Sequence, residues 1–293
     1  MQVIKDLYSG VGKLPRMAVI PIAIFLAVAI VGPHLAPYDP LAQDLTATHQ
    51  NPSLHHLLGT DKLGRDILSR ILEAARTSAV GIGFVLAVAL TIGVILGAIA
   101  GFIGGLLDEV IMRIVDVGQS VPSLIVALAV IGVFGTGFWV MVVALALAWW
   151  PGYARVSRAV VTAVLRQPYI EALQVVGASP WRIFFVHLLP SATGSVLVYA
   201  TADAGAIALT IATLSFLGLG IRPPTPEWGQ MVVDALPYLE AHPFTVIFPG
   251  LALTLVVTGF NVLGEAIALN KTPRPLPRRM LNRLRNERIA EGS

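Results

Sequence analysis

Few residues in this sequence could do chemistry by themselves. Six histidines are scattered over 293 residues, and the chain contains no cysteine. The adjacent pair His55-His56 would point in different directions on a helix, so it does not form a metal clamp. The phosphate-binding pattern G-x-x-x-x-G-K-[ST] and the hydrolase patterns H-E-x-x-H and G-x-S-x-G are also missing. The sequence therefore predicts no catalytic residue, no metal site and no cofactor bound by this chain.

One carboxylate needs an explanation. Asp203 falls inside the apolar stretch 194–217, and an ionisable group within a membrane span is costly and by default marks a functional position. Its sequence neighbours are small, which would let it face a cavity. We predict a role in a translocation path. The alternatives are a structural hydrogen bond between helices and a position close to the end of the span.

The composition is that of a membrane protein. Hydrophobic residues make up 56% of the chain, charged residues 13%, and the mean hydropathy is +0.78. Apolar stretches of about 20 residues can cross the hydrocarbon core, and there they must be helical to satisfy their backbone polar groups. We expect an all-α membrane protein with six transmembrane helices, at about 17–35, 78–103, 109–134, 138–155, 194–217 and 245–268.

The basic residues indicate topology rather than nucleic-acid binding. They cluster in the first 16 residues, around 155–190 and in the tail 270–293. Because six crossings return the chain to its starting side, all three clusters fall on one side, which the positive-inside rule makes the cytoplasm. Both termini are thus predicted to be cytoplasmic and the first span an uncleaved anchor. The tail is expected to meet membrane lipid or to end in solvent.

The segment 168–190, PYIEALQVVGASPWRIFFVHLLP, interrupts the spans with two short helices. Pro168 suits a first helical position and Gly177 a left-handed position after the helix end. Ser179 can cap a second helix, which Pro190 is expected to end. This segment is predicted to be a knob that docks into a groove on another protein. The alternative is an amphipathic linker without a partner.

The same segment resembles the EAA signature of the membrane subunits of ABC importers. The matching residues are Glu171, Ala172, Gly177, Leu189 and Pro190, whereas Leu173 and His187 depart from the signature. The resemblance implies a coupling helix that fits a cleft on a cytoplasmic ATPase. With Ala178 beside the glycine, these matching residues form the predicted ATPase-coupling set.

Further motifs resemble the C-type permease subunit of oligopeptide/dipeptide importers, in the peptide/nickel family. They include LGTDKLGRD at 58–66 and PPTPEWG at 223–229, while Ile211 and Ala268-Leu269 depart. The resemblance implies a type I ABC importer permease fold in a bacterial-type cytoplasmic membrane. It also implies four kinds of contact: a second permease subunit, two ATPase subunits that bind ATP and Mg, an extracytoplasmic substrate-binding protein and membrane lipid.

The loops on the outer side carry the predicted contacts with that binding protein. The candidate residues are Asp61, Arg65, Asp66 and Trp228. Trp228 suits a boundary between membrane and water. The alternatives are a helix capped by Thr60 or Asp61 and a rigid proline-rich lid over two helix ends.

Glycines and prolines within the spans predict close packing and bends. Gly93, Gly97, Gly101 and Gly105 recur every four residues and make a flat stripe on a helix. This stripe would pack either inside the subunit or against a second permease. Pro122 and Pro151 are expected to kink or end their helices.

These predictions combine into one description of the chain. Residues 1–76 form a tail, an anchor helix and an outer loop, 77–269 a five-helix core containing the 168–190 segment, and 270–293 a basic tail. The predicted function is a permease subunit that couples ATP hydrolysis by partner subunits to peptide uptake. The alternatives are uptake of nickel or another small solute and, much less favoured, an ion-coupled secondary transporter, which would need its own coupling site and usually an internal repeat.

Overall fold

A computed structural model describes residues 16–271, with side chains from 19 to 267. The predicted basic segments before and after these residues lie outside that range. Its helices in chain order are α1 Arg16–Leu35, α2 Ile67–Ile103, α3 Gly105–Ser120, α4 Ser123–Phe134, α5 Phe138–Leu165, α6 Pro168–Val175, α7 Pro180–Ile183, α8 Leu189–Phe216, α9 Trp228–Ala235 and α10 Phe244–Lys271. A π-helical turn, Phe184–Leu188, joins α7 to α8, and a 3-10 turn, Leu236–Tyr238, follows α9.

The number of membrane crossings is close to the prediction. Four helical segments are long and apolar enough to cross a membrane: α2, α5, α10 and the continuous helix Pro180–Phe216. The pair α3 and α4 makes a fifth crossing if it is counted as one span. The described apolar part of α1, Val19–Leu35, is shorter. Six crossings are reached only by counting both the bent pair and α1, so the predicted number is approximate.

The span predicted at 109–134 is occupied by two helices joined by a sharp bend rather than by one continuous helix. α3 and α4 meet at an angle of 89°. At the joint, Val121 is extended with φ −102° and ψ 129°, and Pro122 follows it. A proline disfavours helical backbone in the residue before it, so the chain turns sharply here. Pro122 therefore ends its helix, as predicted.

Two other prolines do not end their helices. For Pro190 this contradicts the prediction, whereas Pro151 was predicted either to kink or to end its helix. α5 continues through Pro151 to Leu165. Pro190 lies at the start of α8, directly after the π-helical turn, in which the backbone N–H of Leu189 donates to the carbonyl of Phe184. The wider turn shifts the hydrogen-bond register, and this accommodates a residue that has no N–H.

The glycine stripe packs inside the subunit. A Cβ on Gly93 would lie 2.6 Å from the Cβ of Tyr153, and one on Gly101 would lie 2.9 Å from the carbonyl oxygen of Arg158. A Cβ on Gly97 would overlap the backbone of Ala154. All three contacts are with α5, so these glycines let the backbones of α2 and α5 approach closely. Gly105 is not part of this contact, since it begins α3 with a φ of +57°.

The main hydrophobic core lies among α2, α5 and α8, with α4, α1 and α10 around it. α1 joins this core through Phe25, whose ring packs edge-to-face against Phe260 at 5.8 Å. α2 runs without a break from residue 67 to 103. The boundary predicted between 76 and 77 therefore lies within one continuous helix.

Candidate functional site

The segment 168–190, called the knob below, folds as a helix, a glycine turn and a second helix. Pro168 begins α6, and Gly177 has a φ of +86°. The backbone N–H of Ala178 donates to the carbonyl of Leu173 at 2.9 Å, and that of Gly177 donates to Gln174 at 3.0 Å. These two bonds are the Schellman arrangement that ends a helix at a left-handed residue. The Ser179 side chain caps α7 by accepting from the N–H of Arg182 at 3.3 Å.

The base of the knob is held by a hydrophobic cluster of its own. Ile170 from α6 and Ile183, Phe184 and Leu188 after the turn are buried there. They pack against Ala98 on α2, Val161 on α5 and Ala192 on α8. Three long helices therefore meet the knob at this cluster.

The tip of the knob presents apolar side chains to the surroundings. Val175 is 87% exposed, Val176 86% and Trp181 60%. Valine side chains left in water cost free energy and are typical of a surface that meets another protein. Sequence reasoning missed both valines, although their place just before the glycine turn could have indicated them.

The predicted coupling residues divide between the tip and the base. Glu171, Ala172 and Gly177 are exposed on α6 and its turn, and Ala178 is half-buried beside them. Leu189 and Pro190 are half-buried at the start of α8, on the other side of the π-helical turn. Ala178 and Leu189 both pack against the hydrophobic cluster at the base. The structure thus places three of the six residues on the exposed side of the knob and the other three at or near its base.

At the opposite end of the bundle, residues 36–66 and 217–243 form what we call the far-end loops. α2 is capped by Asp66, which accepts from the N–H of Ser69 at 2.8 Å. The predicted caps, Thr60 and Asp61, are wrong because α2 begins only at Ile67. Asp61 instead closes a turn, accepting from the backbone N–H of Leu63 at 2.8 Å.

Most of the predicted partner-contact residues in these loops are inside the chain. Arg65 is 4% exposed, Asp66 2% and Trp228 2%. Arg65 donates from Nε to Asp61 at 2.7 Å. Trp228 faces protein rather than lipid or water: its indole N–H donates to the carbonyl of Ile71 at 3.3 Å. A more exposed pair links the loops, with Lys62 Nζ lying 3.1 Å from Asp234.

Glu227 is a structural residue that sequence reasoning missed. Its side chain is 1% exposed and caps α9 by accepting from the N–H of Gln230 at 3.0 Å. Burial raises the pKa of this carboxyl. The signal in the sequence was an acidic residue immediately before a short helix, a common capping position.

A second missed feature is an aromatic stack between the far-end loops. The ring of His49 lies over His242 at 4.5 Å, with 11° between the ring planes, and Tyr238 flanks it at 4.3 Å. His49 has a φ of +52°. Burial, and then the nearby charge of His242, lower the pKa of His49, while Asp61 acts weakly in the opposite direction.

Inside the bundle, the predicted residue Asp203 lies near the middle of α8 and is half-buried. Tyr153 on α5 lies beside its carboxylate. Separately, two ion pairs join α3 to α5: Asp108 with Arg158, and Asp116 with Arg155 at 2.6 Å. They fix the short helix α3 to a long one.

Comparison with known proteins assigns this architecture. The family described as "Binding-protein-dependent transport system inner membrane component" matches residues 93–274, more than half of the chain. The chain belongs to this family. The knob and two of the three helices at its base, α5 and α8, lie within the matched range. The predicted resemblance to ABC importer permeases and the predicted all-helical permease fold are thereby confirmed.

Individual permeases are similar over most of their length. The nickel transport system permease protein of Escherichia coli strain K12 is 40% identical over 252 residues, covering 86% of this chain and 91% of that protein. The glutathione transport system permease protein of Pectobacterium atrosepticum is 39% identical over 247 residues, covering 84% of this chain and 82% of its own. These relatives are transport permeases rather than enzymes, and the chain is an inner-membrane importer permease of the peptide/nickel family.

Proposed function

We propose that this chain couples ATP hydrolysis by partner ATPase subunits to uptake of peptides. The observation that carries the proposal is the knob: an apolar tip exposed at Val175 and Val176, above a base buried among three long helices. Such a knob fits a groove on a cytoplasmic ATPase, and its movement on nucleotide binding shifts α2, α5 and α8 together. Alternating exposure of a path between this chain and a second permease then moves the solute.

Introducing charge at the tip of the knob tests the coupling. With both Val175→Asp and Val176→Asp, we expect ATPase subunits to copurify at least about tenfold less well, because an apolar contact residue is replaced by a desolvated charge. Leu54→Asp is the matched control, since Leu54 is 96% exposed in a far-end loop. The measurement is the ratio of ATPase to permease after purification through a tag on this chain.

Two results would contradict the proposal. One is unchanged copurification and uptake in the double variant at normal membrane levels. The other is equal loss in the Leu54→Asp control, which would trace the defect to the membrane level of the protein rather than to docking.

The far-end loops are proposed to receive an extracytoplasmic substrate-binding protein. Support comes from their place at the end of the bundle opposite the knob and from their stiffness. The loops are stiffened by the Arg65–Asp61 ion pair at 2.7 Å and by the Glu227 cap at 3.0 Å. Because Arg65, Asp66 and Trp228 are buried, we assign them to holding the loops in shape. Asp61, whose side chain is 18% exposed, remains a candidate for direct contact, and we add Lys62, whose side chain is 34% exposed.

Peptide is the proposed solute, and nickel is the second candidate. The glutathione permease among the relatives supports the first, since glutathione is a small peptide, and the nickel permease supports the second. Uptake of a labelled dipeptide and of ⁶³Ni²⁺ by cells with and without this chain separates them. Loss of dipeptide uptake alone supports the proposal, and loss of nickel uptake alone replaces peptide with nickel.

A further inference from the structure

A polar stripe follows one face of α8. Ser195, Tyr199, Asp203, Ala206, Thr210 and Thr213 are spaced so that all lie within about a quarter of the helix circumference. None of the six is buried by the described part of the chain, and Tyr199 is 47% exposed. The hydroxyls of Thr210 and Thr213 donate to carbonyls of the same helix, but a carboxylate at the centre of the stripe is costly in lipid. The carboxylate therefore favours a face of α8 that meets water or a polar surface.

Asp203 at the centre of the stripe has no basic partner among the side chains that the structure describes. Between residues 19 and 267, no lysine, arginine or histidine side chain forms an ion pair with it. It lies 14 residues after the first residue of α8 and 13 before the last. A carboxylate in the middle of a span, without a counter-charge, favours the approach of a cation.

A buried hydroxyl lies next to this carboxylate. Tyr153 is fully buried, and its hydroxyl faces the carboxylate of Asp203. The ring lies beside Asp203 on one side and edge-to-face with Tyr199, at 6.1 Å, on another. Its position is fixed because its Cβ packs against Gly93 of α2. Two tyrosine rings, Tyr153 in a fixed orientation and Tyr199, thus lie beside one carboxylate.

Together these groups have the chemistry of a cation site. A carboxylate supplies the opposite charge, aromatic faces attract organic cations, and a phenol oxygen can accept a hydrogen bond. We propose that Asp203, with Tyr153 and Tyr199, forms a site in the translocation path that binds the positively charged group of a solute in transit. This inference rests on the proposed importer function. The charged group is either an ammonium group or a metal cation.

The absence of cysteine from the chain allows a direct test. Ala206→Cys places one thiol on the stripe, three residues from Asp203. In the complex purified through a tag on this chain, its modification rate is measured with a cationic and an anionic methanethiosulfonate reagent. We expect the cationic reagent to react faster, and Asp203→Asn to lower the cation-to-anion rate ratio on the order of tenfold. Asp39→Asn, which removes an exposed far-end carboxylate, is the matched control and should leave the ratio unchanged.

Protection experiments identify the source of the charge. If an ammonium group binds, millimolar Ala-Ala slows modification of Ala206→Cys by the cationic reagent, and N-acetyl-Ala-Ala does not. If a metal binds, NiCl₂ slows it instead. The proposal is overturned if Ala206→Cys reacts with neither reagent, if Asp203→Asn leaves the ratio unchanged, or if no probe protects. ATPase copurification is measured separately in the same preparations. If the ATPase subunits no longer copurify but Asp203→Asn still lowers the rate ratio, the coupling function is rejected and the cation site is not.

Discussion

At the scale of single residues, the shape of the knob follows from three side chains with strong backbone preferences. Pro168, Gly177 and Ser179 fixed the knob because proline, glycine and serine each favour one position at a helix end. The same reasoning failed for Trp228, whose burial depends on Phe25 and Ile71, more than 150 residues away. Contacts of that kind cannot be read from neighbours in the sequence.

His49 provides a residue-scale prediction about pH. Because burial and His242 lower its pKa in the folded state, folding is favoured with His49 neutral. That contribution is present above the unfolded pKa of about 6.5 and is lost as pH falls through and below it. His49→Asn keeps a residue that tolerates a positive φ. Between pH 7.5 and 5.5, we expect the melting temperature of the variant to fall by about 2 °C less than that of wild type.

The control for this prediction is His55→Asn, which removes an exposed histidine from the same loop. It should leave the pH dependence of the melting temperature as in wild type. An identical loss of melting temperature in wild type and His49→Asn would contradict the assignment.

At the scale of helices, prolines within apolar segments had different effects on the helix. Pro122 ends a helix, whereas α5 passes through Pro151 and the α7–α8 helix passes through Pro190. What differs is the surroundings, since a π-helical turn precedes Pro190 and α5 is held along its length by α2. From the sequence alone, the glycine stripe could pack either inside the subunit or against a second permease. The structure identifies α5 as the partner, because only folded coordinates show which backbone lies opposite.

Gly97→Val tests the contact between α2 and α5. The added side chain would overlap the backbone of Ala154, and overpacking of a tight helix contact typically costs about 1–3 kcal/mol. We expect a clear drop in the amount of folded protein extracted from membranes. Gly83→Val is the matched control on the same helix, because no atom lies within 4 Å of a Cβ placed there. Equal yields of the two variants would rule out the close packing.

At the scale of the whole molecule, composition and basic clusters carried the prediction of a helical membrane protein. The hydrophobic fraction fixes the class because lipid permits few alternatives to helices. The distribution of basic residues predicted on which side of the membrane the knob lies, but it contains no information on the angle between α3 and α4. Nor could they reveal the cluster of Tyr153, Tyr199 and Asp203, which forms only once α5 and α8 pack together.

Topology remains a prediction that one substitution can test. Trp181 is 60% exposed on the knob, and the native chain has no thiol. With Trp181→Cys, a membrane-impermeant maleimide should label right-side-out vesicles weakly and inverted vesicles strongly, because the basic segments favour the cytoplasmic side. Leu54→Cys, in a far-end loop, should show the reverse pattern. Strong labelling of Trp181→Cys in right-side-out vesicles would invert the predicted topology.

The right-angled joint between α3 and α4 has a consequence for the membrane itself. α4 has 12 residues and is therefore about 18 Å long, whereas the hydrocarbon layer is about 30 Å thick. α4 alone is thus too short to cross the hydrocarbon layer. If this pair crosses the membrane, the remaining thickness must be covered by α3, which lies at 89° to α4, or be removed by local thinning of the bilayer.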